Sequence, residues 1–196
     1  MVALSSALSY LIGIPLGILL IVTDNDGIRP VPAFNRILCL VINLLRSIPF
    51  IILLIMILPL TKLIVGKVTG ANAVVVPLVL SASPYIARMV ESSLKEVNAG
   101  VIEAAKSMGA STMQIIWKVL LPEAKPSLLV GAAISITTIL GYSTMAGYAG
   151  GGGLGDIAIR YGEEMMLITV VLLVIIVQLI QIGFMHWSKG TDKRIR

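Results

Sequence analysis

The stretch Glu103 to Pro122, E-A-A-K-S-M-G-A-S-T-M-Q-I-I-W-K-V-L-L-P, is the longest segment of this 196-residue chain that is patterned without being continuously apolar. Hydrophobic runs flank it on both sides. Residues 97–108 read as a short helix, with Asn98 as its cap because that side chain can accept from the free N–H groups of a first turn. Gly109 follows at the position where a helix ends with φ > 0, which glycine adopts without strain. Ser111 and Gln114 have capping-box spacing, so a second helix is predicted from Thr112 to Pro122. Ala104 and Ala105 would give the first helix a small-sided patch able to enter a groove, and Glu103 would offer a carboxylate to a basic partner. On these residues alone the segment is either a docking element or an ordinary loop with two short amphipathic helices.

Its surroundings are those of a membrane protein. The chain is 13% charged and 57% hydrophobic, against about 25% and 45–50% for a soluble domain. Aromatic residues make up only 5%, and the apolar runs are continuous, unlike the alternating segments of a barrel. An all-α polytopic membrane protein follows. The single cysteine, Cys39, lies in an apolar run and has no partner for an intrachain disulfide. No basic stripe with interleaved aromatics is present, so nucleic acid is not an expected partner; the lipid bilayer is.

Five spans are expected, at about 1–22, 48–64, 71–90, 126–145 and 165–185, each long enough for ~30 Å of hydrocarbon once flanks and tilt are allowed. The first has no basic flank before it, so it is not a signal peptide, and Met1 reads as an internal methionine of a longer protein. Gly13 and Gly17, with Ser5, Ser6 and Ser9, form a face on which another helix can approach closely. Residues 23–36 read as a polar connection and 37–47 as an interfacial or kinked piece, with Arg46 snorkelling or lining a pathway. Pro77 and Pro84 are expected to kink the third span. Glu91 and Lys95 make a favourable i,i+4 pair where that helix emerges into water. A glycine-rich turn, Ala146 to Asp156, precedes the last span, and Trp187 sits at its exit as an interfacial anchor.

Positive charge fixes the expected orientation. Arg29, Arg36, Arg46, Arg88, Lys95, Lys106, Lys118, Lys125, Lys189, Lys193, Arg194 and Arg196 fall on one side, twelve residues, and Lys62, Lys67 and Arg160 on the other, three. By the positive-inside rule the N-terminus is outside, and the 97–122 segment and C-terminus are cytoplasmic.

Several features resemble chemistry without supplying it. Gly141-Tyr142-Ser143 has the look of an intramembrane serine protease, but His186, the only histidine, belongs at the opposite end of the bundle, out of general-base reach. The glycines at 150–155 lack the G-K-[ST] ending of a phosphate loop, so ATP hydrolysis is not expected on this chain. No cluster has metal-ligand spacing. The nine methionines suit packing or lipid contact, Met165, Met166 and Met185 among them. Ser81, Ser83, Tyr85, Tyr142, Ser143 and Thr144, with Arg46, are the polar side chains placed nearest a pathway; helix–helix hydrogen bonding is the competing role.

Glu103, Ala104, Ala105, Gly109, Leu121 and Pro122, with Val119 at the usual isoleucine position, resemble the EAA signature of ABC importer permeases. G-I-P-L-G-I-L-L (13–20), L-R-S-I-P-F-I-I-L-L (45–54), I-A-R-M-V-E (86–91), L-L-P-E-A (120–124) and G-G-G-G-L-G-D (150–156) are similar to the methionine-type subfamily. The N-terminus is shorter than usual there, and Tyr161 to Met165 looks several residues short. The resemblance implies a single permease domain of the type I importer fold in a bacterial inner membrane, working as a homodimer. Its partners would be two copies of an ATPase subunit, which carry ATP and magnesium, and an extracytoplasmic binding protein. This chain would bind no cofactor. Glu103, Ala104, Ala105, Met108, Gly109, Leu121 and Pro122 would couple it to the ATPase. Methionine is the implied solute, with another amino acid or small solute, or a non-transporting scaffold role, as alternatives.

Overall fold

The computed structural model describes residues 1–191; the expected basic residues Lys193, Arg194 and Arg196 lie outside the described residues. The described chain is helical, without strands. Its helices are α1 (Val2–Thr23), α2 (Pro32–Ser47), α3 (Phe50–Met56), α4 (Leu58–Val65), α5 (Ala71–Lys95), α6 (Ala99–Ser107), α7 (Thr112–Ile115), α8 (Leu121–Glu123), α9 (Lys125–Ala146), α10 (Leu154–Arg160) and α11 (Glu163–Thr191), with π-helical turns at Ile116–Leu120 and Gly147–Gly151. Four helices, α1, α5, α9 and α11, are long and apolar enough to cross a membrane, and five if α2 and α3, bent by 100°, count as one broken span.

The core is built on α5, where Leu78, Ala82, Ile86, Val90 and Leu94 are buried at the helical spacing of one face. α1 lies against it without side chains in the way. A Cβ on Gly13 would stand 2.6 Å from Ile86 Cγ2, and one on Gly17 2.6 Å from the Ala87 carbonyl oxygen. Ser5 and Ser9 are fully buried on the same face. Residue numbers along this contact rise together, so α1 and α5 run parallel. α9 runs antiparallel to α5, with Ser127 Oγ bonded to Ser93 Oγ at 3.1 Å and Gly131 beside Met89. α11 runs antiparallel to α9, with Ser188 Oγ donating to the Pro126 carbonyl at 2.9 Å.

These pairings sort the connections between two ends of the bundle. Asp24, Lys95, Pro126 and Ser188 share one end, where Lys95 Nζ lies 3.0 Å from Asp24 Oδ2. Gly70 and Gly150 share the other, where the Gly70 N–H donates to the Gly150 carbonyl at 3.0 Å. The chain must therefore return from the Asp24 end to the Gly70 end through α2, α3 and α4.

That return is where the expected helices differ most from those observed. Residues 48–64 do not form one helix: Pro49 breaks the chain between α2 and α3, and Ile57 separates α3 from α4, whose second residue, Pro59, has no N–H for the preceding turn. The connection expected to run to Arg36 stops at Pro32, which opens α2 at a position that tolerates its missing donor. Asn35 anchors that start, donating from Nδ2 to the Leu20 carbonyl at 2.7 Å and Thr23 Oγ1 at 3.0 Å. α5 is continuous across Pro77 and Pro84. The last helix runs from Glu163 rather than Met165, so Tyr161 and Gly162 alone join it to α10.

Candidate functional site

The segment between α5 and α9 is shaped by its caps. Asn98 Oδ1 accepts from the Gly100 N–H at 2.8 Å and starts α6. At the other end the Ala110 N–H donates to the Ala105 carbonyl at 3.1 Å and the Gly109 N–H to the Lys106 carbonyl at 2.9 Å. This is the Schellman arrangement, closed by Gly109 at φ +76°. Ser111 then caps α7: its N–H donates to Gln114 Oε1 at 2.8 Å, and Gln114 N–H to Ser111 Oγ at 3.4 Å. The helix, glycine corner and second helix expected from sequence are all present. The second helix widens into a π turn over Ile116–Leu120, where the Leu121 N–H donates to the Ile116 carbonyl. Pro122 explains the change, since it has no N–H to offer the Lys118 carbonyl.

Burial divides this segment into an attached and an open face. Ile115, Ile116, Leu120 and Ala105 join the core cluster, with Leu121 packed against it. Glu103, Ala104, Gly109 and Pro122 are exposed, and Met108 is 82% exposed. Met113 and Trp117 stand outward beside them, the indole Nε1 donating to Met113 Sδ at 3.2 Å and Trp117 64% exposed. The expected Ala104–Ala105 patch is corrected here: Ala105 is 5% exposed, because adjacent positions on a helix point about 100° apart and α6 turns this one inward. Ala104 remains outward. Met113 and Trp117 were missed as surface features; their i,i+4 spacing is the one sequence signal that marks a common face.

The candidate pathway residues differ in their surroundings within this single chain. Arg46 is exposed at the end of α2. Ser83, Ser143 and Thr144 donate inside their own helices, to the carbonyls of Val79, Leu140 and Gly141, each at 2.7 Å. Ser81 and Tyr85 are half-buried on α5. Tyr142 stacks on Phe50, with ring centroids 4.8 Å apart and planes 7° from parallel, which joins α9 to the first residue after the Pro49 break. Ser143 bonds to its own helix and sits near the end of α9 remote from Pro126, whereas His186 lies near Ser188 at the opposite end of the bundle. Among the described residues no cluster of three His, Cys, Asp or Glu could hold a metal ion. A cavity of about 540 Å³ opens at the end of the bundle that holds Lys95 and Pro126, lined in part by Glu96, Pro122, Glu123, Lys125 and Ser188.

One charged cluster was legible only in part. Glu91 is 7% exposed and pairs with Arg88 Nη1 at 2.6 Å and, as expected, with Lys95 at 2.9 Å. Asp24 completes it from the far side of Lys95, and the hydrogen bond from that ammonium holds its carboxyl below the ordinary carboxylate range.

Residues 13–196 match the family model described as binding-protein-dependent transport system inner membrane component. The chain is 50% identical over 186 residues to the probable D-methionine transport system permease protein MetI of Vibrio cholerae, covering 92% of this chain and 83% of that protein. It is 42% identical to the protein of that name from Pasteurella multocida, covering 97% and 90%. Among solved structures it is similar to a chain of the inward-facing MetNI methionine ABC transporter, with a TM-score of 0.96, 44% identity and coverage of 98% and 92%.

Proposed function

The chain belongs to the binding-protein-dependent transport system inner membrane components, and we propose that it is the permease subunit that carries methionine through an ATP-driven importer. A member of this family is a membrane component, not an enzyme. The observation that carries the solute assignment is the match, over nearly the whole chain, to the permease of a methionine transporter. Composition adds nothing to it: the methionines here lie mostly on packing and outward surfaces.

The assembly reading is a homodimer bound to two ATPase subunits and served by an extracytoplasmic binding protein, in a bacterial inner membrane. Residues 1–196 form one permease domain. The end holding Asp24, Lys95 and Pro126 faces the cytoplasm, an orientation supported by the charge count and by the clustering of those connections at one end. Glu103, Ala104, Met108 and Gly109 then form the surface that meets the ATPase, with Pro122 at the foot of the stem. Ala105 and Leu121 hold that surface to the bundle. Support comes from the open face of α6, small at Ala104 and anionic at Glu103, and from its doubly capped corner. Rigidity there lets a pull on the corner reach α5 and α9 instead of being absorbed.

Arg46, Ser81, Ser83, Tyr85, Tyr142, Ser143 and Thr144 are assigned to the pathway, to be completed by a second copy. The Pro49 break places Arg46 and the Phe50–Tyr142 stack next to each other along the chain, as in transporters whose broken helices line the solute route. ATP and magnesium belong to the partner ATPase. Uptake of labelled methionine tests the function: cells whose other methionine importers are deleted should take it up only with this permease present. Equal uptake without the permease would refute the assignment.

A further inference from the structure

Glu91 is buried near the end of α5 with a cation on either side, and each cation reaches a different helix. Arg88 Nη2 donates to Asn43 Oδ1 of α2 at 2.9 Å, while its Nη1 holds Glu91 at 2.6 Å. Lys95 bridges Glu91, at 2.9 Å, and Asp24 at the end of α1, at 3.0 Å. Three helices thus meet at one buried carboxylate. Such a charge is costly to bury, and an apolar replacement is often as stable, so specificity of arrangement is the better-attested reason to keep one.

The position of the network says which arrangement it holds. Lys95 is the last residue of α5, and Asn98 already caps α6, so little chain separates the network from the coupling segment. On the opposite side is α2, which buries only Ile42 and leaves Ile37, Leu40 and Leu44 exposed. α1 is fastened to α5 by close backbone packing, but α2 has little apolar contact and leans on Asn35, Asn43 and the small cluster of Leu20, Ile42 and Ala87. α2 also leads directly to Arg46 and the Pro49 break.

We propose that Arg88, Glu91 and Lys95 are the joint that delivers displacement of the coupling segment to α1 and α2, with Glu91 as the positioning residue that makes the three helix ends move as one body. The joint rests on the coupling role assigned above to residues 97–122. It links that segment to the broken helix of the pathway through named atoms and not through the bundle at large.

The test uses the reconstituted complex with its ATPase and binding protein, reading methionine uptake and ATP hydrolysis together. Glu91→Gln keeps the side chain's volume and removes its charge. ATPase binding and hydrolysis should persist while uptake per ATP falls about tenfold, in the range found for mutations along a coupling route. An unchanged ratio overturns the joint. A second arm does not depend on that variant folding: cysteines at positions 24 and 95, in a Cys39→Ala background, are bridged by a short bifunctional thiol reagent. Because the two replacements remove Lys95 from the joint, uptake per ATP should fall severalfold before the reagent is added and recover once the bridge makes the two ends move together again. An undiminished ratio before bridging, or no recovery after it, overturns the proposal. The coupling role fails separately. If Glu103→Lys and Gly109→Val leave ATPase binding intact, that role is lost and the joint with it; if they release the ATPase while Glu91→Gln keeps its ratio, the joint alone is lost.

Discussion

Asp24 and Lys95 meet at 3.0 Å across the ends of two parallel helices, α1 and α5. The hydrogen bond from Lys95 is the main reason that the Asp24 carboxyl is held below its ordinary value of 3.8. A carboxyl depressed in the folded state contributes stability that is fully present above the unfolded value and is lost as pH falls through the folded one. The contribution is therefore intact at neutral pH, begins to be lost as pH falls to about 3.8 and is gone only below the depressed folded-state value. Thermal unfolding of the detergent-solubilised protein should show Asp24→Asn less stable than the parent at neutral pH, with the two converging in acid. A constant gap across that range would mean the ion pair is not the source.

A Cβ at Gly17 would sit 2.6 Å from the Ala87 carbonyl oxygen and equally close to Val90. Backbone cannot swing aside as a long side chain can, so Gly17→Ala forces α1 off α5. The expected cost is about 1–3 kcal/mol, the range for overpacking a filled interior. Gly141→Ala is the control, because nothing lies within 4 Å of a Cβ built there. In mid-helix it should hold or raise the melting temperature. Equal losses from both substitutions would contradict the close α1–α5 approach.

The features legible in sequence were those with local causes. Asn98, Gly109, Ser111 and Gln114 each act within one turn of the chain, and each takes its expected part in a cap. The runs around Leu20, Leu78 and Ile139 announce helices by length and apolarity, whatever they pack against. The broken return through α2, α3 and α4 was less readable, because Pro49 and Pro59 permit either a kink or a new helix, and only packing chooses. Which way Ala105 faces depends on the stem beneath it. Asp24 meets Lys95 because α1 and α5 are parallel neighbours, a relation that no spacing within either helix encodes. The candidate pathway hydroxyls show the same limit: Ser83, Ser143 and Thr144 are satisfied by their own helices, a local option that sequence does not rank against a lining role.

Gly109 carries φ +76° with open space where a side chain would go, so a substitution there is penalised by backbone strain and not by collision. Left-handed geometry costs an ordinary residue about 1–2 kcal/mol, with asparagine the milder case. Gly109→Val should loosen the corner and weaken co-purification of the ATPase, while Gly109→Asn keeps most of it. Identical retention by the two variants would show that the corner's conformation does not matter for docking.

Ser111 and Gln114 satisfy each other's free backbone donors, so their contributions should not add. Removing the Ser111 hydroxyl with Ser111→Ala costs about 1 kcal/mol, and Gln114→Ala removes the reciprocal bond. Each single variant also leaves the other side chain less well held. The double variant should therefore lose less than the sum of the two, by a coupling energy of at least about 0.5 kcal/mol. Hydrogen exchange at the amides of Ser111 and Gln114 reads the loss locally, without unfolding the bundle. Because the box lies between the Gly109 corner and the Pro122 stem, the same variants should lower uptake per ATP in step with the loss of protection. Full protection in the double variant would mean that packing of Ile115 and Ile116, and not the cap, holds the second helix.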